Sequence, residues 1–497
     1  MTERRRGVLL PALGVVLMAG AVFWGLRREP AQESAPTVPR APDVSPPVEE
    51  VPAPAAPPRQ SRSSAPPPPP SAAGAPAGCP GEELLDPPGF VRPSTWDLFV
   101  VRTMELRDRL PQFTRDSSPA MRRGLTSLND AAPDLDAFFE APDRHQDGFD
   151  LAMAALLHLG TRALSRRAMD DAHRLATRAM REAPTDPLAH VLSATVAERT
   201  HRTTDALSAH RRAAELAPDE PAILLAQARA ASAAGEFAEA RDAADAYLAL
   251  EPRDTRIRSW RARMHARAEV TSRFVRGRGA GVVVLHPAGL QRGQVDRLIT
   301  TVRGAMDETA RLLDRDRRPE LAVVVYPSVE GMRDATCAPS WSGGVFDGVL
   351  HLSADTVERE AVHTIRHEAT HAQLALVRGR IPHWLNEGLA QHMEGEVRDS
   401  TRASWGRMVE RRFWIPFASL EGQLVVIDDA GDARLAYHQS LAMVRWLLDA
   451  RGARVLRDAA DRIEARQEQD LMEQLVPGAD GEAMLAYLAR ALAAEPR

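Results

Sequence analysis

Residues 366–394, RHEATHAQLALVRGRIPHWLNEGLAQHME, contain the pattern that decides the fold and the chemistry of the C-terminal part of the chain. Within this stretch His367, Glu368 and His371 have the spacing HExxH. On a helix, residues four positions apart lie above one another on one face, so the two imidazoles can reach a single metal ion. Glu368 would then lie beside the open coordination position of that ion.

A second helical pattern in the same stretch supplies a third candidate ligand. Gly379 suits the end of a helix and Pro382 suits the start of the next one. From His371 the chain rises for about six residues, ~9 Å, and after the turn it descends for about five residues, ~7.5 Å, to Glu387. The Glu387 carboxylate therefore returns to the level of the histidines.

Two neutral imidazoles and one carboxylate form a ligand set that suits Zn²⁺ and leaves a fourth position for water. Zinc lowers the pKa of such a water to about 7, so that Glu368 can take its proton and pass it to a leaving amine. The expected reaction is hydrolysis of a peptide bond.

These residues resemble those of the gluzincin metallopeptidases, the group that includes thermolysin and the aminopeptidase N type. The segment WLNEGLAQHME, with Glu387 in an Asn-Glu-Gly-x-Ala setting, is similar to the ligand helix of the aminopeptidase N branch and of compact relatives termed peptidase MA-like. The resemblance covers about residues 274–450. It implies that His367, His371 and Glu387 bind zinc and that Glu368 is the general base.

Two departures from the family pattern bear on specificity. Fifteen residues separate His371 from Glu387, fewer than in the aminopeptidase N or thermolysin groups. The chain also contains no Gly-x-Met-Glu-Asn motif, with which the aminopeptidases hold the free amine of a substrate. We therefore expect an endopeptidase, with VFDGVLHL at 345–352 as a candidate edge strand for pairing with an extended substrate.

A further helical pattern at residues 433–452, ARLAYHQSLAMVRWLLDARG, contains a candidate oxyanion donor. The resemblance implies a tyrosine or histidine beyond the second ligand helix, and Tyr437 matches that position approximately, with His438 as its rival. Such a donor contributes roughly 3 kcal/mol in the transition state. A buried structural hydroxyl is the alternative role for Tyr437.

Short β-branched runs precede the HExxH stretch. AGVVVLHP and ELAVVVYPS flank a helical pattern from about Arg292 to Leu313, and SGGVFDGVLHLS at 342–353 indicates a hairpin. The sequence therefore predicts an α+β, gluzincin-like metallopeptidase domain with C-terminal helices at residues 271–497.

The preceding region is helical and repetitive. Pro184, Pro218 and Pro252 recur at intervals of 34 residues. Small residues lie 24 and 12 positions before these prolines, namely Gly160, Ala194 and Ala228, and Ala172, Ala206 and Ala240. The pattern resembles tetratricopeptide repeats, which implies an all-α array at residues 150–270 with a concave face for a protein partner. An ordinary helical bundle is the alternative.

The N-terminus has the pattern of a membrane segment. Uncharged residues 7–26 lie between arginines and would span ~30 Å as a helix, enough to cross a bilayer. Residues 1–28 are therefore predicted to be a transmembrane anchor, or a signal segment cleaved near residues 19–21. Because early arginines usually stay cytoplasmic, the catalytic domain is expected outside the cytoplasm, on the periplasmic or extracellular side of the cell envelope.

Residues 29–82 are rich in proline and alanine, with five consecutive prolines at 66–70, and are predicted to be a disordered linker. Residues 83–149 have the pattern of a helical lead-in. Cys79 and Cys337, the two cysteines of the chain, either form one disulfide or stay free.

A net charge of -5 gives no indication of the basic surface that nucleic acid requires, and no nucleic-acid partner is expected. The sequence thus predicts a membrane-tethered, exported zinc metallopeptidase for a peptide or protein substrate, whose repeats recruit a protein partner or that substrate. The alternative is a non-proteolytic envelope scaffold or binding protein with an inactive, zinc-stabilised peptidase domain. Glu368 favours the enzyme, because an inactive relative has no need of it.

Overall fold

The structure is a computed structural model that describes residues 146–494 with short gaps, together with parts of residues 95–137. The gaps are at residues 316–317, 339–341, 360, 378, 421–429, 469 and 479.

Several sequence predictions concern residues outside this part of the chain. The membrane segment at 1–28, the linker at 29–82 and Cys79 all lie outside the described residues. Cys337 is disulfide-bonded. Among the residues that the structure describes, no helix combines the length and the apolar character needed to cross a membrane.

A helical domain comes first. Its helices are α1 (Pro119–Ser127), α2 (Gln146–Ser165), α3 (Met169–Glu182), α4 (Pro187–Arg199), α5 (Thr203–Leu216), α6 (Pro221–Ala233), α7 (Phe237–Leu250) and α8 (Thr255–Thr271). From α2 onward each helix packs against its successor in the chain. The assignment of this array to tetratricopeptide repeats stays a prediction.

The 34-residue period corresponds to recurring helix starts. The Asp186 carboxylate accepts a hydrogen bond from the backbone N–H of Leu188 at 2.9 Å, directly before Pro187 at the first position of α4. Glu220 and Asp254 cap α6 and α8 in the same way. The small residues predicted at helix crossings are buried, namely Gly160, Ala172, Ala194, Ala206, Ala228 and Ala240.

A sheet-containing domain follows. Its strands are β1 (Val275–Gly279), β2 (Val282–His286), β3 (Leu321–Tyr326), β4 (Gly344–Phe346) and β5 (Leu350–Ser353). Its helices are α9 (Arg292–Leu313), α10 (Val329–Thr336), α11 (Ala354–Glu358), α12 (Val362–Leu374), α13 (His383–Met393), α14 (Asp399–Glu410), α15 (Ala430–Arg451), α16 (Arg454–Glu464), α17 (Leu471–Leu475) and α18 (Gly481–Ala494), with a 3₁₀ turn at Phe417–Leu420.

The strands form one sheet in the order β1-β2-β3-β5-β4. The β2, β3 and β5 strands run parallel, whereas β1 and β4 pair antiparallel at the two edges. Every residue of β3 is buried, as expected for a parallel strand covered on both faces. The predicted hairpin at 342–353 is confirmed as β4 and β5, and the predicted helix at Arg292–Leu313 is α9.

Two helices after the sheet carry the HExxH stretch. The first, α12, ends at Leu374, three residues earlier than the geometry derived from the sequence assumed. The turn then passes through Gly379, which has a φ of 141° and no room for a side chain, because a Cβ there would lie 2.7 Å from Ile463 Cγ2 of α16. The second helix, α13, crosses α15 closely at Gly388.

A Gly388→Ala substitution should lower the free energy of unfolding by about 1–3 kcal/mol, the usual cost of overpacking, and should therefore lower the melting temperature. The added Cβ would collide with the Ser440 carbonyl oxygen and lie 2.7 Å from Val444 Cγ2, so α13 and α15 would have to separate. Thermal unfolding followed by circular dichroism measures the change.

The matched control is Gly406→Ala in α14, where a Cβ meets no atom within 4 Å. It should be neutral or stabilising by up to about 1 kcal/mol, because alanine favours a helix over glycine. Equal melting temperatures for Gly388→Ala and the wild type would contradict the close helix crossing.

Candidate metal centre

Two helices bring the predicted ligands together. His367 and His371 lie one turn apart on α12, with ring centroids 4.8 Å apart and planes at 80°. Glu387 on α13 places its Oε2 atom 3.5 Å from His367 Nε2 and 3.6 Å from His371 Nε2. One ligand atom from each of the three residues lies within 4.8 Å of the other two.

Hydrogen bonds fix the orientation of both imidazoles. His367 Nδ1 lies 2.8 Å from Glu394 Oε1, and the other Glu394 oxygen accepts a hydrogen bond from Arg398. His371 Nδ1 lies 3.2 Å from Asn386 Oδ1. If both Nδ1 atoms carry the proton, both Nε2 atoms are acceptors that face the Glu387 carboxylate. Metal-binding histidines commonly have this arrangement.

Sequence reasoning missed Glu394 and Asn386. Glu394 lies seven residues after Glu387, close to two helical turns, so both residues project from the same side of the chain segment. That spacing was a usable signal. Asn386 directly precedes Glu387 and had no periodicity to distinguish it.

The donor set fits a divalent cation, because negative charge around the site exceeds what the histidines balance. Burial alone lowers the pKa of His367, but hydrogen bonds to Glu387 and Glu394 and the charge of Glu368 outweigh it and raise that pKa to about 10. Burial raises the pKa of Glu387, yet the charges of His371 and His367 hold it below its usual value. Without a metal, a proton on His367 therefore supplies the positive charge.

Glu368 lies between the histidines and the edge of the sheet. It is only 9% exposed, and burial raises the pKa of its carboxyl group despite the nearby histidines. On its other side lies Gly344 of β4, where a Cβ would be 2.8 Å from Glu368 Cγ. The prediction of one edge strand at 345–352 was wrong, because the chain turns at Asp347 and Gly348 and returns as β5 inside the sheet; only β4 lies at the edge of the described sheet, and its first residue, Gly344, contacts Glu368.

The two rival oxyanion candidates are adjacent residues of α15. Burial first, and then the charges of Glu387 and Glu368, raise the pKa of Tyr437, so its hydroxyl stays neutral. His438 has a pKa lowered to about 4 by burial and by neighbouring arginines. Gln391 of α13 links the two helices at this level, because its Nε2 donates a hydrogen bond to the Tyr437 carbonyl oxygen of α15 at 2.7 Å.

A cavity of about 360 Å³ lies elsewhere, between the helical domain and the sheet-containing domain, with Trp260, Arg263 and Asp347 in its wall. None of the five predicted site residues lines it. The candidate centre is therefore identified by its converging donor atoms and not by an enclosed volume.

Comparison with known proteins supports a peptidase-like domain here. Residues 305–470 match the model of a family described as the Peptidase MA superfamily. The matched segment runs from within α9 to just before α17 and includes every predicted site residue. A search of curated proteins finds no match. The sheet-containing domain is therefore peptidase MA-like, which suggests a metallopeptidase.

A Glu394→Gln variant should bind zinc about 10–100-fold more weakly, because the imidazole of His367 loses its charged partner. Competition with a chromophoric chelator measures the dissociation constant. Glu396→Gln changes an exposed glutamate two residues away and serves as control. Equal affinities for Glu394→Gln and Glu396→Gln would contradict the orienting role.

Zinc binding at pH 7.5 should release about one proton from His367, since a proton on Nε2 occupies the position of the metal. The raised pKa of about 10 means that this proton is present in the metal-free protein at neutral pH. Affinity should therefore tighten as pH rises toward 10. Calorimetry in two buffers of different ionisation enthalpy counts the protons, and equal observed enthalpies in the two buffers, before any correction for buffer ionisation, would contradict the prediction.

Proposed function

We propose that the chain is a zinc metallopeptidase that hydrolyses peptide bonds, acting as an endopeptidase. The observation that carries the proposal is the convergence of two imidazole Nε2 atoms and the Glu387 carboxylate beside the buried Glu368. The match of this segment to the Peptidase MA superfamily supports the same reaction class.

His367, His371 and Glu387 would hold the metal, and Glu394 and Asn386 would orient the two imidazoles. Bound zinc would supply a Lewis acid and a water of lowered pKa. Two nitrogens and one oxygen from the protein leave room for that water, as catalytic zinc sites require.

Glu368 is placed to accept a proton from the attacking water and to deliver it to the leaving nitrogen. Its raised pKa suits both steps, because a base that is too weak cannot take the proton and an acid that is too weak cannot return it. Burial of the carboxylate also keeps bulk water from exchanging that proton during the reaction.

Tyr437 is proposed to stabilise the oxyanion. Its hydroxyl stays protonated because burial and two carboxylates raise its pKa, so it can donate a hydrogen bond where negative charge develops. The surroundings of His438 are less suitable, because burial and then neighbouring arginines lower its pKa, and the charges of Glu387 and Glu368 do not contribute to that pKa.

An extended peptide substrate would pair with β4. This strand is at the edge of the described sheet, bonded on one side to β5, and its Gly344 contacts Glu368. A peptide that adds as a further strand gains main-chain hydrogen bonds along its length and is brought to the base by them. Binding along the backbone, in a chain whose sequence lacks the Gly-x-Met-Glu-Asn motif, favours an endopeptidase.

The remaining parts of the chain are assigned roles by their sequence patterns. We propose that the helical domain recruits a protein partner or the substrate, as the repeat pattern implies. The N-terminal segment is proposed to tether an exported enzyme to the membrane of the cell envelope. The scaffold alternative is disfavoured, because a scaffold has no use for a buried carboxylate beside the metal ligands.

A Glu368→Gln substitution tests the reaction directly. The variant should keep stoichiometric zinc and lose peptide cleavage by about 10²–10⁴-fold, the usual contribution of general acid–base catalysis. Metal analysis and digestion of a diverse peptide library, analysed by mass spectrometry, supply the two measurements. Glu358→Gln, at an exposed glutamate of α11, is the control and should retain activity.

A wild-type protein that holds one zinc per chain and cleaves no member of the library would refute the enzyme. That result would favour the non-proteolytic scaffold. Cleavage by Glu368→Gln at the wild-type rate would instead show that another group is the base.

A further inference from the structure

One arginine of the helical domain reaches into the sheet-containing domain. Arg267 lies near the end of α8 and is only 2% exposed. Its Nε donates to the Ala335 carbonyl oxygen at 3.1 Å, in the last turn of α10. Its Nη2 donates to Asp347 Oδ2 at 2.5 Å, in the turn between β4 and β5.

These two acceptors lie on either side of the edge strand. Ala335 precedes β4 in the chain and Asp347 directly follows its last residue. The helix that carries Ala335 also holds the entry to the strand, because the Arg333 guanidinium donates to the Ser342 carbonyl oxygen at 3.1 Å. The Arg267 guanidinium therefore binds the chain on both sides of β4, at the end of α10 and in the turn after the strand.

Asp347 is anchored from the sheet as well. Its other oxygen lies 3.0 Å from His351 Nε2, and His351 Nδ1 lies 3.1 Å from the Tyr326 hydroxyl. His351 and Tyr326 are fully buried. Burial alone raises the pKa of Asp347, but the charge of Arg267 and the contact with His351 hold that pKa far below its usual value. The turn therefore carries a buried carboxylate that Arg267 neutralises.

The opposite end of the same strand touches the proposed base. Gly344 contacts Glu368, and β4 has only three residues, so the distance from Gly344 to Asp347 is about 10 Å along the strand. A strand this short has few hydrogen bonds of its own to resist displacement. A shift of Asp347 would therefore move the strand relative to Glu368.

We propose that Arg267 is a positioning residue for the substrate: through it the helical domain holds β4 in register with the proposed base. The inference rests on the proposed function, in which β4 pairs with an extended peptide. It gives the helical domain a role in the reaction that is separate from the capture of a partner. Arg267 itself touches no reacting atom and acts through Asp347.

A second ion pair between the two domains serves as a matched control. Arg276 of β1 pairs with Glu236, the residue before α7, through both guanidinium Nη atoms, at 2.5 and 2.6 Å. This pair also joins the helical domain to the sheet, but at the edge opposite β4. It is about one-third exposed and has no contact with the proposed site.

The main test compares an Arg267→Met/Asp347→Asn double variant with Arg276→Met and the wild type, all as the zinc-loaded chain. The double variant removes both charges, so that no unpaired carboxylate stays buried. Values of kcat/KM are measured for an eight-residue peptide and for a capped two-residue substrate that is too short to pair along β4. Zinc content is measured for each protein.

The ratio of kcat/KM for the long peptide to kcat/KM for the short one should be at least ten-fold lower in the double variant than in the wild type. Arg276→Met should keep that advantage, and zinc content should be equal in all three. A general loss of structure would instead lower kcat/KM for both substrates by the same factor. An unchanged ratio in the double variant would overturn the proposal.

Hydrogen–deuterium exchange supplies a readout that needs no activity. Backbone amides of residues 343–347 should exchange faster in the double variant and at the wild-type rate in Arg276→Met. Arg267→Lys keeps the charge and loses the two-point geometry, so it should show an intermediate rate if the double variant does not fold. Equal rates in Arg267→Lys, Arg276→Met and the wild type would overturn the proposal.

The two hypotheses fail in different ways. A wild-type chain that cleaves neither peptide refutes the proposed function, whereas exchange at residues 343–347 still decides whether Arg267 holds the strand. Cleavage with an unchanged length advantage and unchanged exchange refutes the positioning role alone.

Discussion

The approach of two imidazole nitrogens to one partly buried carboxylate is the interaction on which the C-terminal domain depends. His367 and His371 direct their Nε2 atoms at Glu387 Oε2, over distances of 3.5 and 3.6 Å, and Glu368 lies beside them. Such a cluster needs a positive charge at its centre, because buried carboxylates are costly without one. A proton on His367 meets this need in the metal-free protein, and a divalent cation meets it better, since it engages all three donors at once.

The rest of the domain holds these imidazole and carboxylate groups close to one another. Gly388 lets α13 pack closely on α15, the helix that carries Tyr437, while Gly379 lets the turn between α12 and α13 lie against α16. The sheet contributes its edge strand, whose Gly344 lies against Glu368. The proposed base shares α12 with two of the candidate ligands, whereas the third candidate ligand and the edge strand come from α13 and β4, and the fold determines their separation. The helical domain joins this arrangement through Arg267, which links the site to a region that has its own proposed partner.

Much of the site could be predicted because its signals are local. HExxH needs only helical periodicity, and the position of Glu387 followed from the rise of two helices, although α12 ends three residues earlier than assumed. The hairpin and α9 were evident from β-branched runs and amphipathic spacing. Contacts between residues far apart in the sequence leave no local pattern and could not be predicted. Arg267 and Asp347 are 80 positions apart. Arg333 donates to a backbone carbonyl, a group that every residue type has. The repeat assignment and the membrane segment depend on sequence patterns and stay predictions.

Zinc K-edge X-ray absorption on the zinc-loaded chain shows which side chains bind the metal. We expect one zinc per chain, with two imidazole nitrogens at about 2.0–2.1 Å and oxygen completing the shell. Substitution of Glu387 by glutamine should alter the oxygen scattering and leave both imidazoles in place. A shell without imidazole scattering, or one that His371→Ala leaves unchanged, would mean that His367, His371 and Glu387 do not bind zinc together.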